Sequence, residues 1–126
     1  MVSLTTWMAV AAGGAAGAPA RFLLDRWVTG IVSARGVGLF PWGLFAVNGL
    51  GSALAGIVLA TTSGDLRVLL LAGFCGGLTT FSGFAWEVDR LWESARGAFW
   101  SAVIVVPGAC VLLFLAAWRL ASISSG

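Results

Sequence analysis

The 126-residue sequence predicts an all-α membrane protein of four transmembrane helices, the third of them broken. Three observations carry this. Hydrophobic residues make up 60% and the 18 glycines add about 14%, so roughly three quarters of the chain is apolar or Gly, against ~45–50% in soluble domains. Charged residues are 10% and mean hydropathy is +1.00, too little polar sequence to cover a water-facing globule. Apolar runs of membrane length recur along the chain, and at ~20 residues each, four spans leave room for short linkers and tails but not for a second domain.

The spans fall at about residues 4–24, 39–60, 68–88 and 98–121, within one membrane domain of residues 1–126. The charges collect between them, with Asp25, Arg26 and Arg35 in the first linker, Asp65 and Arg67 in the second, and Asp89, Arg90, Glu93 and Arg96 in the third. Trp favours the water–lipid boundary, and Trp7, Trp27, Trp42, Trp86, Trp100 and Trp118 lie near span ends, with Trp92 in a linker. The first run could be read as a secretory signal, with Ala16, Gly17 and Ala18 imitating a cleavage site, but no basic residue precedes Leu4. Arg26, Arg35, Arg90 and Arg96 on one side outnumber Arg67 and Arg119 on the other. That small bias favours termini outside and is also compatible with insertion in both orientations.

Seven Arg, five acids, no Lys and no His leave little for enzyme chemistry: His relays are excluded, and Cys75 and Cys110 lie in apolar runs without metal or redox spacing. The chain is therefore expected not to be an enzyme, and nothing in it points to nucleic acid. Small residues instead mark helix contacts: Gly13 and Gly17 form a GxxxG step, and Gly49 with Ala53 and Ser52 with Gly56 give small-xxx-small steps. Four short helices enclose little space, so a solute path calls for a second copy of the chain or a close relative.

Few polar atoms lie at membrane depth. Asn48, near the middle of the second span, must face protein or water, either in an interhelical hydrogen bond or as a donor to a passing anion. In the third span, Gly76, Gly77, Leu78, Thr79 and Thr80 combine two weak helix formers with two hydroxyl residues. A helix should break there, either as a packing kink or as a segment lining a cavity or ion site. Phe81 and Phe84 follow on one helical face with Ser82 between them; such rings are usually core or lipid-facing, and their edges carry partial positive charge.

The string GFCGGLTTFSGF (73–84), with GAPARF (17–22) and NGLGS (48–52), resembles the CrcB/Fluc family of fluoride channels across the first three helices in the right order. The resemblance implies an antiparallel dimer with two pores. By it, Asn48 would donate to fluoride, Phe81 and Phe84 would line the ion's route, and Arg21 would stand at a vestibule; an anion stripped of water needs substitute donors, and Thr80 and Ser82 are the further candidates. Gly76 and Thr79 would offer backbone carbonyls to a structural Na+ at the dimer centre, and Glu87 has a family counterpart of undefined role. Gly83 and Leu44 depart from the pattern, since Thr is usual at the first and common at the second. The fourth span, which in the family carries spaced hydroxyls, offers only Ser101 before the run around Pro107. A differing paired subunit, or a homodimer using backbone or water, would each accommodate this.

The resemblance implies export of fluoride from the cytoplasm across the cell membrane, and the flow is expected to be passive, since no ATP-binding loop and no acidic pair for proton coupling are present. A dual-orientation multidrug exporter of similar size would need a carboxylate within its first span, and residues 4–24 contain none. A non-transporting assembly subunit, whose glycines only pack helices, is the remaining alternative.

Overall fold

The computed structural model describes all of residues 1–126 and contains helices but no strands. Helix α1 (Leu4–Ala34) begins where the Ser3 hydroxyl accepts the Thr6 N–H at 3.2 Å. At about 1.5 Å per residue it is roughly 46 Å long, more than the hydrocarbon thickness requires. Residues 25–34, expected as linker, are its last turns. Thr29 Oγ1 donates to Asp25 Oδ1 at 3.4 Å, and both side chains press on the Gly43 backbone, where a Cβ would collide with them. The chain then turns through Gly36 and Gly38, both with positive φ.

Helix α2 (Trp42–Thr61) closes with the Thr61 and Thr62 hydroxyls donating to the carbonyls of Ile57 and Val58. Helix α3 (Gly64–Val68) passes directly into a π-helical stretch, Leu69–Cys75, and a last turn, α4 (Gly76–Leu78). Thr79 and Thr80 leave the helix, with ψ of 157° at Thr79 and φ of −150° at Thr80. Helix α5 (Phe81–Ser94) then resumes the path, and the single residue Ala95 joins it to α6 (Arg96–Ser124).

The break falls within the expected segment, but at its hydroxyl end. Gly76 and Gly77 remain helical, because Gly77 faces α1 so closely that a Cβ would lie 3.1 Å from the Ala18 nitrogen and 3.2 Å from the Gly14 Cα. Gly13, Gly17 and Gly73 make the same crossing: a Cβ on Gly73 would stand 2.8 Å from the Gly13 Cα, and one on Gly17 would meet the Phe74 carbonyl oxygen. Backbones in contact gain dispersion energy and close C–H···O approaches that a larger side chain would prevent. Helices α2 and α6 meet in the same way at Gly56, whose Cβ would lie 2.9 Å from the Trp118 nitrogen.

Trp42–Thr61, Gly64–Ser94 and Arg96–Ser124 are each long and apolar enough to cross a membrane. Helix α1 has the length, but Gly, Thr, Pro19 and Arg21 dilute its hydropathy. Only 16 of 126 residues are buried, with Val47, Leu78, Leu91, Ala102 and Val106 at the centre, so most large apolar side chains face outward and need lipid or another chain to cover them.

Candidate ion path around the helix break

Breaking a helix at membrane depth frees amides and carbonyls that hydrocarbon cannot satisfy. Here hydrogen bonds satisfy those of Cys75, Thr79, Thr80 and Gly83. Thr79 N–H and Oγ1–H both donate to the Cys75 carbonyl at 2.9 Å, closing the first half. Thr80 Oγ1 accepts the Gly83 N–H at 3.0 Å, capping α5. The Thr80 peptide itself is clasped by Asn48 of α2: Thr80 N–H donates to Oδ1 at 2.7 Å, and Nδ2 donates to the Thr80 carbonyl at 3.2 Å. An N–H can only donate, so the oxygen of Asn48 faces Thr80 N and the orientation of the amide is fixed. Asn48, at 8% exposure, thereby keeps one N–H uncommitted to Thr80.

The break therefore brings two helix ends together at depth: the free carbonyls of α4 and the N-terminus of α5, whose partial positive charge favours an anion. Asn48, Thr79, Thr80, Phe81 and Phe84 line one cleft, whose far wall is Val106, Pro107 and Cys110 of α6. The two Phe rings lie 6.0 Å apart at 47°, and Phe81 is 81% exposed. Such an arrangement can strip water from a small anion and offer it amide and ring-edge hydrogens in return.

Not every predicted residue shares that cleft. Ser82 and Arg21 line a second, larger one, and Thr80 is common to both. Arg21 shares its lining with Asp25, Glu87 and Arg90, so the cleft has mixed charge, and Arg21 also donates to the Thr79 carbonyl at 3.4 Å. Glu87 is engaged by Arg90 at 2.6 Å. Gly76 and Thr79 line a third cleft with Cys75 and Cys110, adjoining the first. Their carbonyls are neutral oxygen donors of the sort hard cations take, whereas no cluster of three or more His, Cys, Asp or Glu could hold a metal.

Sequence reasoning read the fourth span only as a hydroxyl-poor run around Pro107 and missed Val106 and Cys110 on the α6 wall. Cys110 and Pro107 carry no motif, and only the crossing of α6 over α2 brings them opposite Asn48. It also treated Leu44 and Gly83 as separate departures, whereas they touch: a Cβ on Gly83 would lie 3.4 Å from Leu44 Cδ1 and 2.8 Å from Thr80 Cγ2. The larger residue at one position goes with the smallest at the other.

Residues 8–119 match the family described as CrcB-like protein, Camphor Resistance (CrcB). The fluoride-specific ion channel FluC of Geobacter sulfurreducens is 41% identical over 121 residues, 91% of this chain and 93% of its own length. Proteins of the same name from Chelativorans sp. and Hahella chejuensis are 40% and 45% identical, over 92% and 68% of this chain and 96% and 68% of their own lengths.

Proposed function

This chain belongs to the CrcB family, and from that premise we propose that it is a fluoride-selective passive ion channel of the cell membrane that lets fluoride leave the cytoplasm through a dimer pore. The observation that carries the reading is the Asn48 clasp on a broken helix, with Phe81 and Phe84 opening beside it. Placing a bare anion in hydrocarbon costs tens of kcal/mol on an idealised estimate. Conduction therefore needs substitutes for water, and the remaining Asn48 N–H, the first turn of α5, the Thr80 and Ser82 hydroxyls and the two ring edges are the donors at hand.

In this reading α1 is a fourth span, held to residues 64–78 by its glycines, and Arg21 gathers anions at the vestibule. The exposed Phe81 ring supports a second chain against this face, either another copy in antiparallel orientation or a paired homologue. A structural Na+ at the centre of such a dimer would be held by the carbonyls of Gly76 and Thr79 from each subunit. Neutral backbone oxygens suit it chemically, and the long Arg21 contact to Thr79 is the one interaction that competes.

Liposomes carrying the chain should release fluoride and retain chloride, read with ion-selective electrodes. Failure of both the chain alone and the chain with a paired homologue would sink the reading. Asn48→Asp places a carboxylate beside the path, where like charges ~4 Å apart repel by about 4 kcal/mol at an effective dielectric of ~20. Fluoride efflux should then fall by about 100-fold or more.

A further inference from the structure

We infer that Leu44 and Gly83 form a dry neck between the large Arg21 cleft and the Asn48 cleft, and that the Leu44 side chain limits the rate at which fluoride crosses it. The inference rests on the proposed anion route from Arg21 to Asn48. Thr80 is the one residue that lines both clefts, so an ion moving from the first to the second passes it. Its peptide is held on both sides by Asn48, and its hydroxyl oxygen accepts the Gly83 N–H and lies 3.3 Å from the Ser82 oxygen. One hydroxyl hydrogen joins Thr80 to Ser82, and the other is left for an anion.

The facing wall adds no donor. Leu44 and Asn48, four residues apart, share a face of α2; Asn48 clasps the Thr80 peptide while Leu44 lies over Gly83 in the first turn of α5. Leu44 and Val47, 6% and 1% exposed, both line the large cleft, and neither side chain carries a polar hydrogen. Gly83 sets the width: a Cβ there would stand 2.8 Å from Thr80 Cγ2, 3.2 Å from Thr80 Oγ1 and 3.4 Å from Leu44 Cδ1, in the space between all three. An anion shedding water at this point gains one hydroxyl against a wall of methyl groups. Desolvation with the least replacement is the costliest step of the route.

The test compares Leu44→Thr with Leu44→Val, two side chains of one shape that differ by a hydroxyl, in fluoride-loaded liposomes. Leu44→Thr should release fluoride about fivefold faster than Leu44→Val, the effect of one hydrogen bond, whereas a purely packing role favours Val. Equal rates, or a slower Thr variant, overturn the inference. A second arm works at Gly83 in a Thr80→Ser background, where loss of the Thr80 methyl makes room for a Cβ and keeps the capping oxygen. There Gly83→Ala should slow efflux about threefold relative to Thr80→Ser alone, and an unchanged rate counts against the neck. If the parent passes no fluoride, alone or with a paired homologue, the channel reading itself fails, and labelling by a charged maleimide in a Cys75→Ala, Cys110→Ala chain decides the rest. Ser82→Cys, at an exposed position, should then react roughly tenfold faster or more than Leu44→Cys, and equal labelling shows that the neck is not dry.

Discussion

The two halves of the third span have similar length and opposite surroundings. Residues 64–78 lie backbone to backbone against α1 through Gly73 and Gly77, and bury Cys75 and Leu78. Phe81–Ser94 buries only Leu91 and leaves Phe81 and Trp86 at 81% and 70% exposure, although Phe and Trp bring more apolar area than Gly. In a membrane, apolarity does not select what is buried within the chain, because lipid is as apolar as leucine; closeness of approach does. The first half is thus fixed to its own chain, and the second half presents its rings to whatever lies outside it.

That contrast can be broken most severely at the crossing. Gly17→Val would drive a branched side chain into the Phe74 carbonyl, costing about 3 kcal/mol or more; little monodisperse protein should survive detergent extraction. Gly108→Ala is the matching control, since nothing lies within 4 Å of its Cβ position in α6. Next in size is Asn48→Ala, which leaves the Thr80 N–H and carbonyl without their partner and should destabilise by about 2 kcal/mol in reversible unfolding. A loss as small as that of an exposed residue would mean that the clasp does not hold the halves together.

Thr80→Ala removes the cap on α5 and the 3.3 Å contact to the Ser82 hydroxyl but leaves the backbone clasp by Asn48, and should cost about 1 kcal/mol, fraying the first turn of α5 in hydrogen exchange while α4 stays protected. The smallest effect belongs to Glu87→Gln. Its pair with Arg90 is an i,i+3 contact with the Arg side chain 58% exposed, so stability should change by less than about 0.5 kcal/mol.

The sequence made the apolar helices, the glycine steps and the zone of the break legible, because composition and small-residue spacing respond to local rules. It did not reveal that the break would fall at Thr79–Thr80. Gly76 and Gly77 weaken an isolated helix, but the approach of α1 to Gly77 repays that weakness, while each Thr hydroxyl closes one of the two severed ends. Likewise Asp25 and Arg26 mark where apolarity stops, not where the helix stops, and α1 continues because Asp25 and Thr29 fit against Gly43. The pairing of Asn48 with Thr80, 32 residues away, and the meeting of Leu44 with Gly83 depend on how α2 crosses the break. Cys110 reads as filler until α6 is laid across the cleft.

The one-residue joint at Ala95 bears on how the chain enters a bilayer. Asp89, Arg90 and Glu93 precede it and Arg96 follows, with the Arg96 guanidinium stacked 4.4 Å above the Trp92 ring. So charged a corner has to sit at the water boundary, and a linker of one residue gives the flanking helices no slack to enter at different times. Residues 64–94 and α6 are thereby committed to insertion as a single hairpin, with its tip moored in the headgroups.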